Sequence, residues 1–386
     1  MMRLGFLVTH PIQYYAPIFR ALAKQCDLTV FFAHRQTGKG QAKAGFGVAF
    51  DWDVDLLAGY QNRFLTNVAR QPSTDRFNGC NTPAIASEIE GGRFDAFVVP
   101  GWGLLSYLQA VRACRRVRVP VMIRGDSQLP GRRNVAVRLA KAFLYRQMMR
   151  RFDGYLYVGQ RSRAYFEHYG APSSRLFFAP HCVDNDAFGA TARPTRAADG
   201  RRRLLFAGKL IARKHPTDLI RAAALLQGRG VNVEVAFAGS GELEVELRRA
   251  ATEAGVSAVF HGFVNQSALP AIYAAADALV LPSDARETWG LVVNEAMACG
   301  LPAVVSDAVG CGPDLIEEGL TGAVFPLGDT AGCARAIERV LALDPARSHA
   351  AISAKMAVYS PQRTAQGIMA AAAAFAAGHR QPGARL

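Results

Sequence analysis

The sequence predicts an α/β protein of two doubly wound domains within its 386 residues. Three observations carry that reading. Short apolar runs alternate with longer helical patterns almost from end to end, as parallel β/α units require. A polar stretch without periodicity, residues 189–202, interrupts the alternation once and reads as a linker. The length also exceeds what one hydrophobic core ordinarily serves. The expected organisation is a first domain over 1–188, the linker 189–202 and a second domain over 203–361. A final helix near 362–378 is expected to pack back on the first domain.

In the first domain the apolar runs predict strands at 4–9, 28–33, 94–100, 120–124, 154–158 and 176–178. Helical patterns between them include 106–116 and 160–169. Residues 35–80 are rich in Gly, Asn and polar side chains and read as loop, and connections that long are more often functional than idle. In the second domain strands are predicted at 203–207, 233–238, 259–263, 278–281, 303–306 and 323–325. Helices follow at 216–228, 242–254, 266–276, 290–298 and 330–343. Open α/β sheets bind ligands beyond the carboxyl ends of their strands, so two in tandem imply a cleft that both line with loops.

Half of the residues are apolar and a fifth are charged, as in globular proteins. The opening Met-Met-Arg runs straight into the first strand with no small-residue cleavage site, so no secretory leader is expected. The longest greasy stretch, 367–378, falls far short of the roughly 20 residues that span a bilayer. Seven scattered cysteines without a C-x-x-C pair suit buried residues of a reducing cytosol rather than a disulfide or zinc framework. Lys and Arg number 45 against 31 acids, a net charge of +14 that favours anionic partners. No nucleic-acid-binding motif is visible, which leaves phosphorylated ligands and anionic membrane.

The most informative stretch is Glu287-Thr-Trp-Gly-Leu-Val-Val-Asn-Glu295. It places two carboxylates around the start of a helix, whose unpaired N–H groups and positive dipole end attract phosphate. Glu295, just over one turn inside, can accept bonds from sugar or ribose hydroxyls, and Glu287 faces the anion from the preceding loop. Upstream, the strand Leu204-Leu-Phe-Ala207 runs into Gly208-Lys209-Leu-Ile-Ala-Arg213-Lys214. That is either a phosphate clamp, with Arg213 and Lys214 neutralising a leaving diphosphate, or a solvated basic loop. Gly239-Ser-Gly241 opens a helix as a nucleotide-binding turn would, or as a plain tight turn; the third glycine of a dinucleotide fingerprint is missing. His261 reads as a packed or hydrogen-bonded strand residue. Ser306-Asp-Ala-Val-Gly310-Cys-Gly312-Pro313 is a further strand-end loop with close-approach glycines.

Taken in order, Gly-Lys-Leu…Lys214, Ala-Gly-Ser-Gly-Glu-Leu, His-Gly-Phe-Val, Leu-Pro-Ser283, Glu287-x7-Glu295 and Gly-Leu-Thr-Gly322 resemble family 4 of the retaining glycosyltransferases. The match covers roughly residues 203–329. The resemblance implies the GT-B fold of two facing Rossmann-like domains with an interdomain cleft. It implies that Lys209 and Lys214 grip the donor diphosphate, Glu295 binds ribose, Glu287 addresses the transferred sugar, and amides near Leu291 and Val292 hold phosphate. It also implies no metal ion and no cofactor beyond the nucleotide-sugar donor. The first domain resembles the family more loosely. Thr9-His10-Pro11-Ile-Gln13-Tyr14-Tyr15 and Ala-Pro-His181-Cys-Val-Asp184 resemble a subgroup of bacterial envelope-polysaccharide and exopolysaccharide transferases. Where relatives often place a sugar-contacting histidine, this chain has Ile123-Arg124-Gly125-Asp126-Ser127. Arg124 and Asp126 are the candidates there, with Asp126 equally readable as a cap or turn. His10 reads as a ligand contact or a turn residue.

The basic amphipathic segment 132–151 either rests on anionic lipid, which would suit a lipid-linked acceptor, or packs on the sheet with its cations solvated. The expected activity is transfer of a hexose-type sugar from UDP or GDP to a glycan or lipid-linked acceptor hydroxyl. The expected place is the cytoplasm, at the inner face of the cytoplasmic membrane. An epimerase of the same fold and a non-catalytic donor- or glycan-binding partner of a membrane assembly are the competing readings. A nicotinamide oxidoreductase ranks behind them.

Overall fold

The computed structural model describes residues 1–41, 48–129, 135–191 and 200–379. They divide into two units. The first takes the described residues of Met1–Gln36, Asp55–His181 and Pro361–Leu386, and the second those of Thr37–Val54 and Cys182–Ser360. Residues 192–199 of the expected linker, and Arg132 and Arg133 of the basic segment, lie outside the described residues.

Unit 1 is built on seven parallel strands: β1 (Arg3–Val8), β2 (Asp27–Phe32), β3 (Gln61–Phe64), β4 (Ala96–Val99), β5 (Val121–Gly125), β6 (Gly154–Tyr157) and β7 (Leu176–Phe178). Their order across the sheet is β3-β2-β1-β4-β5-β6-β7. Leu4 pairs with Leu28 on one side and Ala96 on the other, which seats β1 at the centre. The burial patterns explain the near-continuous apolar runs, since strands covered by helices on both faces have no wet side. β3 departs from expectation, because 35–80 reads as loop. Its Gln-Asn-Arg-Phe sequence alternates between exposed and half-buried as an edge strand does, and it pairs Gln61 with Thr29 without an apolar run to announce it.

Unit 2 repeats the plan with β8 (Arg202–Ala207), β9 (Val233–Ala238), β10 (Ser257–Gly262), β11 (Ala278–Leu281), β12 (Ala303–Ser306) and β13 (Gly322–Phe325), ordered β10-β9-β8-β11-β12-β13. All its pairings are parallel. One buried acid, Glu234 in β9, is accommodated because Arg203 and Arg201 reach it at 2.8 and 3.2 Å. Helix ends moved by a few residues. The span read as 266–276 is helical only over Leu269–Ala274, with Pro270 in its first turn, where a missing N–H costs nothing. Phe50 stacks against Phe263 at 4.1 Å and Asn265 donates to the Asp51 carbonyl at 2.8 Å, which is why residues near 50 group with unit 2.

In both sheets the order reverses once, between β1 and β4 and between β8 and β11. Loops leaving the two flanking strands diverge there and open a crevice at the carboxyl edge.

The helix Pro361–His379 belongs to unit 1, where Thr364 donates to the Pro180 carbonyl at 2.8 Å and Phe375 meets Phe177 edge-on at 5.9 Å. Gly367 lets this helix approach: a Cβ there would lie 1.9 Å from the Phe178 carbonyl oxygen. Gly→Ala inside a helix ordinarily stabilises by about 1 kcal/mol. We predict the opposite sign for Gly367→Ala, a loss of about 1–3 kcal/mol from overpacking, read as a lowered melting temperature by circular dichroism. A raised melting temperature would contradict this docking.

Candidate functional site

At the switch point of unit 2, β8 delivers Gly208 and the turn Ala212–Lys214, and β11 delivers Ser283 and Glu287. The two loops are tied together: Asp284 N–H donates to the Arg213 carbonyl at 2.9 Å. Lys214, only 7% exposed, sets its Nζ 2.7 Å from Glu287 Oε2. The same carboxylate accepts from Ser283 Oγ at 3.2 Å and lies 4.0 Å from an Arg213 guanidinium nitrogen. Lys214 is therefore neutralised by an acid rather than waiting as an isolated cation.

The glycines have packing reasons. Gly208, at φ +130°, leaves room for Lys214, whose Nζ would be 3.3 Å from a Cβ. Gly239, at φ +147°, lies against Gly208, whose carbonyl oxygen a Cβ would meet at 1.9 Å. Gly241 packs on the Leu210 carbonyl, whose oxygen a Cβ would meet at 2.4 Å. These residues let the loops after β8 and β9 touch backbone to backbone, a use for them besides a ligand's approach. Lys209 is half-buried at the start of the same loop.

Helix Leu291–Ala298 begins beside this pair. Its N-cap is Gly290 at φ +100°, no side chain caps it, and its first turn holds no acid. Leu291 and Val292 are half-buried at that end. The positive end of the helix and two cations thus share one corner, the arrangement an anion seeks. Gly310 braces it, since a Cβ would fall 1.8 Å from the Thr288 carbonyl oxygen. Within the helix, Glu295 accepts a 2.6 Å hydrogen bond from the Tyr273 hydroxyl. Burial pushes the Glu295 carboxyl up to about 7, with the Tyr273 bond and the Lys214 charge opposing that rise. Tyr273 and Ser283 were not singled out from sequence. Their signal was present in the spacing of Ile-Tyr273 and Leu-Pro-Ser283 ahead of the acidic pair. His261, read as packed or bonded, is exposed instead, because β10 is an edge strand.

Unit 1 gathers its own candidates at the carboxyl edge. Arg124, at the end of β5, is 1% exposed and donates to the Pro180 and Ala179 carbonyls at 2.9 and 3.3 Å and to the Tyr15 hydroxyl at 3.4 Å. Its Nε is buried with no partner. The guanidinium lies 3.5 Å from His181 Nδ1, while Asp126 faces His181 Nε2 at 3.8 Å. Asp126 therefore neighbours the histidine rather than serving only as a turn. Burial lowers the His181 pKa and outweighs the opposing pull of Asp126. Tyr14 meets the same ring edge-on at 5.6 Å. His10, after β1, bonds through Nδ1 to Thr9 Oγ1 at 3.0 Å, and burial pushes it down to about 4, which keeps it neutral.

Residues 190–356 match the family model described as Glycosyl transferases group 1. Among characterised proteins, the D-inositol 3-phosphate glycosyltransferase of Arthrobacter sp. strain FB24 is 37% identical over 166 residues, 40% of this chain and 39% of that protein. Its counterpart in Mycolicibacterium smegmatis is 34% identical over 229 residues, covering 56% of this chain and 52% of the relative. A GDP-mannose-dependent alpha-(1-6)-phosphatidylinositol monomannoside mannosyltransferase of the same organism is 32% identical over 212 residues, 51% of this chain and 55% of that one. The chain thus spans about half the length, or less, of these relatives. Among solved structures, Anabaena HepE in complex with UDP and glucose superimposes with a TM-score of 0.66 at 18% identity, covering 96% of this chain and 99% of that one. The lipopolysaccharide outer core galactosyltransferase WaaB in its apo form gives 0.69 at 14%, with 97% and 99% covered. The fold is accordingly the GT-B fold of two Rossmann-like units, and residues 190–356 carry the sequence pattern of glycosyl transferases group 1.

Proposed function

We propose that this chain is a glycosyltransferase that moves a hexose-type sugar from UDP or GDP to an acceptor hydroxyl. The observation that carries the reading is the Lys214–Glu287 pair beside the uncapped start of helix Leu291–Ala298, at the switch point of unit 2. A diphosphate seated there would meet the positive helix end, Lys214 and Arg213 together. Departure of the nucleotide from the anomeric carbon builds negative charge on the diphosphate, and these groups stabilise it as it forms. Such charge stabilisation does without a metal ion, and Glu295 would accept the ribose hydroxyls. With no carboxylate assigned as covalent nucleophile, retention of anomeric configuration is the outcome proposed on family resemblance.

The acceptor is proposed to be a lipid-linked or growing glycan of the cell envelope or an exopolysaccharide, held by unit 1 through Arg124, His181, Asp126 and His10. The name of one relative, a phosphatidylinositol monomannoside mannosyltransferase, agrees in kind, whereas others are named for D-inositol 3-phosphate, which carries no lipid. Among the described residues no helix is long and apolar enough to cross a membrane, so such an acceptor would be met from the bilayer surface. The site of action proposed is the cytoplasmic face of the inner membrane.

Lys214→Ala and Glu295→Ala each remove a charged hydrogen-bonding group from the donor site. Such bonds are each worth about 1.5–3 kcal/mol, so UDP or GDP affinity should fall about tenfold to hundredfold by calorimetry. Unchanged affinity in both variants would overturn the assignment. Turnover of a radiolabelled UDP- or GDP-sugar on a lipid acceptor should survive EDTA, and isomerised sugar formed from donor alone would point to an epimerase instead.

Glu295 also gives a pH signature. Its folded pKa is raised from 4.5 to about 7, so the folded chain keeps a proton that the unfolded chain releases. The group's contribution to stability therefore falls as pH climbs from about 4.5 to about 7. Donor affinity should weaken from about pH 8 to about pH 6 as the carboxylate is protonated, by at most about tenfold per pH unit. In Tyr273→Phe the lost O–H donor raises the midpoint further, displacing that acid limb to higher pH. An unmoved limb would show that Tyr273 packs without controlling Glu295.

A further inference from the structure

We propose that the outer face of unit 1 formed by the helices Leu105–Arg116 and Val135–Met149 docks on the surface of an anionic lipid bilayer. Charge distribution is the first reason. Residues 101–152 hold twelve Lys and Arg against one acid, Asp126; Arg124 is buried at the carboxyl edge, and seven of the others, named below, are exposed. The two helices are successive crossovers, β4 to β5 and β5 to β6, running in one direction across the sheet, and therefore cover the same face. They are joined in space: Trp102 meets Tyr145 at 5.3 Å, and an Arg115 guanidinium nitrogen donates to the Arg151 carbonyl at 3.4 Å.

Exposed side chains supply the second reason. Arg112, Arg115, Arg116, Val117 and Arg118 are exposed on or just beyond the first helix, and Arg146, Arg150 and Arg151 on or just beyond the second. Just ahead of the latter cations on the same helix, Phe143 and Leu144 stand 64% and 59% exposed. One exposed Leu on a protein surface means little. An adjacent Phe and Leu on a face rich in cations, of which Arg116 is paired with Glu90, has the composition of a surface that rests at the headgroup level, with apolar groups in the acyl boundary and cations on lipid phosphates. Nucleic acid would engage the cations but leave Leu144 without a use, so the lipid reading is the one the face favours. It rests on unit 1 alone and is independent of the donor site, because vesicle binding can be read without turnover.

The full chain should co-sediment with vesicles of phosphatidylglycerol and phosphatidylcholine and not with phosphatidylcholine alone. Binding should fall steeply with salt. Each cation near such a surface is worth about fivefold, so Arg150→Gln with Arg151→Gln should weaken partitioning about 25-fold. Phe143→Ser with Leu144→Ser should weaken it by about tenfold or more. Val245→Ser and Arg249→Gln, exposed in unit 2, should leave it unchanged. Emission of Phe143→Trp, read against wild type, should be quenched by brominated lipid. Equal binding to neutral vesicles, an unquenched Phe143→Trp, or binding of a single-stranded RNA with no vesicle binding would each overturn the proposal.

Discussion

The contact between Lys214 and Glu287 is the interaction on which the rest of the site depends. It joins two loops that leave different strands, and it is buried enough that losing either partner would strand a charge away from water. A pair of this kind is rarely the most stable choice, since apolar side chains of similar volume often do as well or better. Its presence at the carboxyl edge, where a ligand would sit, is better explained by chemistry than by stability. The acid holds the ammonium in place and discharges it while the site is empty. An arriving diphosphate then finds the cation already oriented, with little side-chain freedom left to lose.

Topology explains why the pair can form. β8 and β11 are neighbours in the sheet, but the chain leaves them in opposite directions, so their loops part and leave a crevice between them. Gly239, Gly241 and Gly310 bring the surrounding backbones closer than a residue with a Cβ permits. Helix Leu291–Ala298 then points its uncapped end into that corner. Unit 1 has a reversal of its own at β1 and β4, with His10 following β1 and Arg124 at the end of β5. A buried guanidinium held by carbonyls and a hydroxyl, with one nitrogen left over, is a costly arrangement for a purely structural residue.

Much of this was legible in the sequence. Uninterrupted apolar runs such as Ala278–Leu281 suit strands buried on both faces, and that strand has the expected bounds. The helix start at Leu291, with Glu287 in the loop before it and Glu295 inside it, was legible from Gly290 and the apolar run that follows. What stayed hidden was whatever depends on partners distant in sequence. Lys214 and Glu287 are 73 positions apart, and nothing in either segment states that they touch. Tyr273 lies 22 positions before Glu295, and nothing around it announces that its hydroxyl reaches that acid. β3 was missed for a different reason, since an edge strand facing water needs no apolar signature.

The central claim is that the loops after β8 and β11, with the first turn of the helix at Leu291, receive the diphosphate of a nucleotide-sugar. Hydrogen–deuterium exchange of the full chain with and without UDP or GDP tests it most directly. The account predicts slowed exchange of amides within 208–214 and 290–293, strongest at Leu291 and Val292. Slowed exchange confined to other regions, with these amides unchanged at saturating nucleotide, would contradict it.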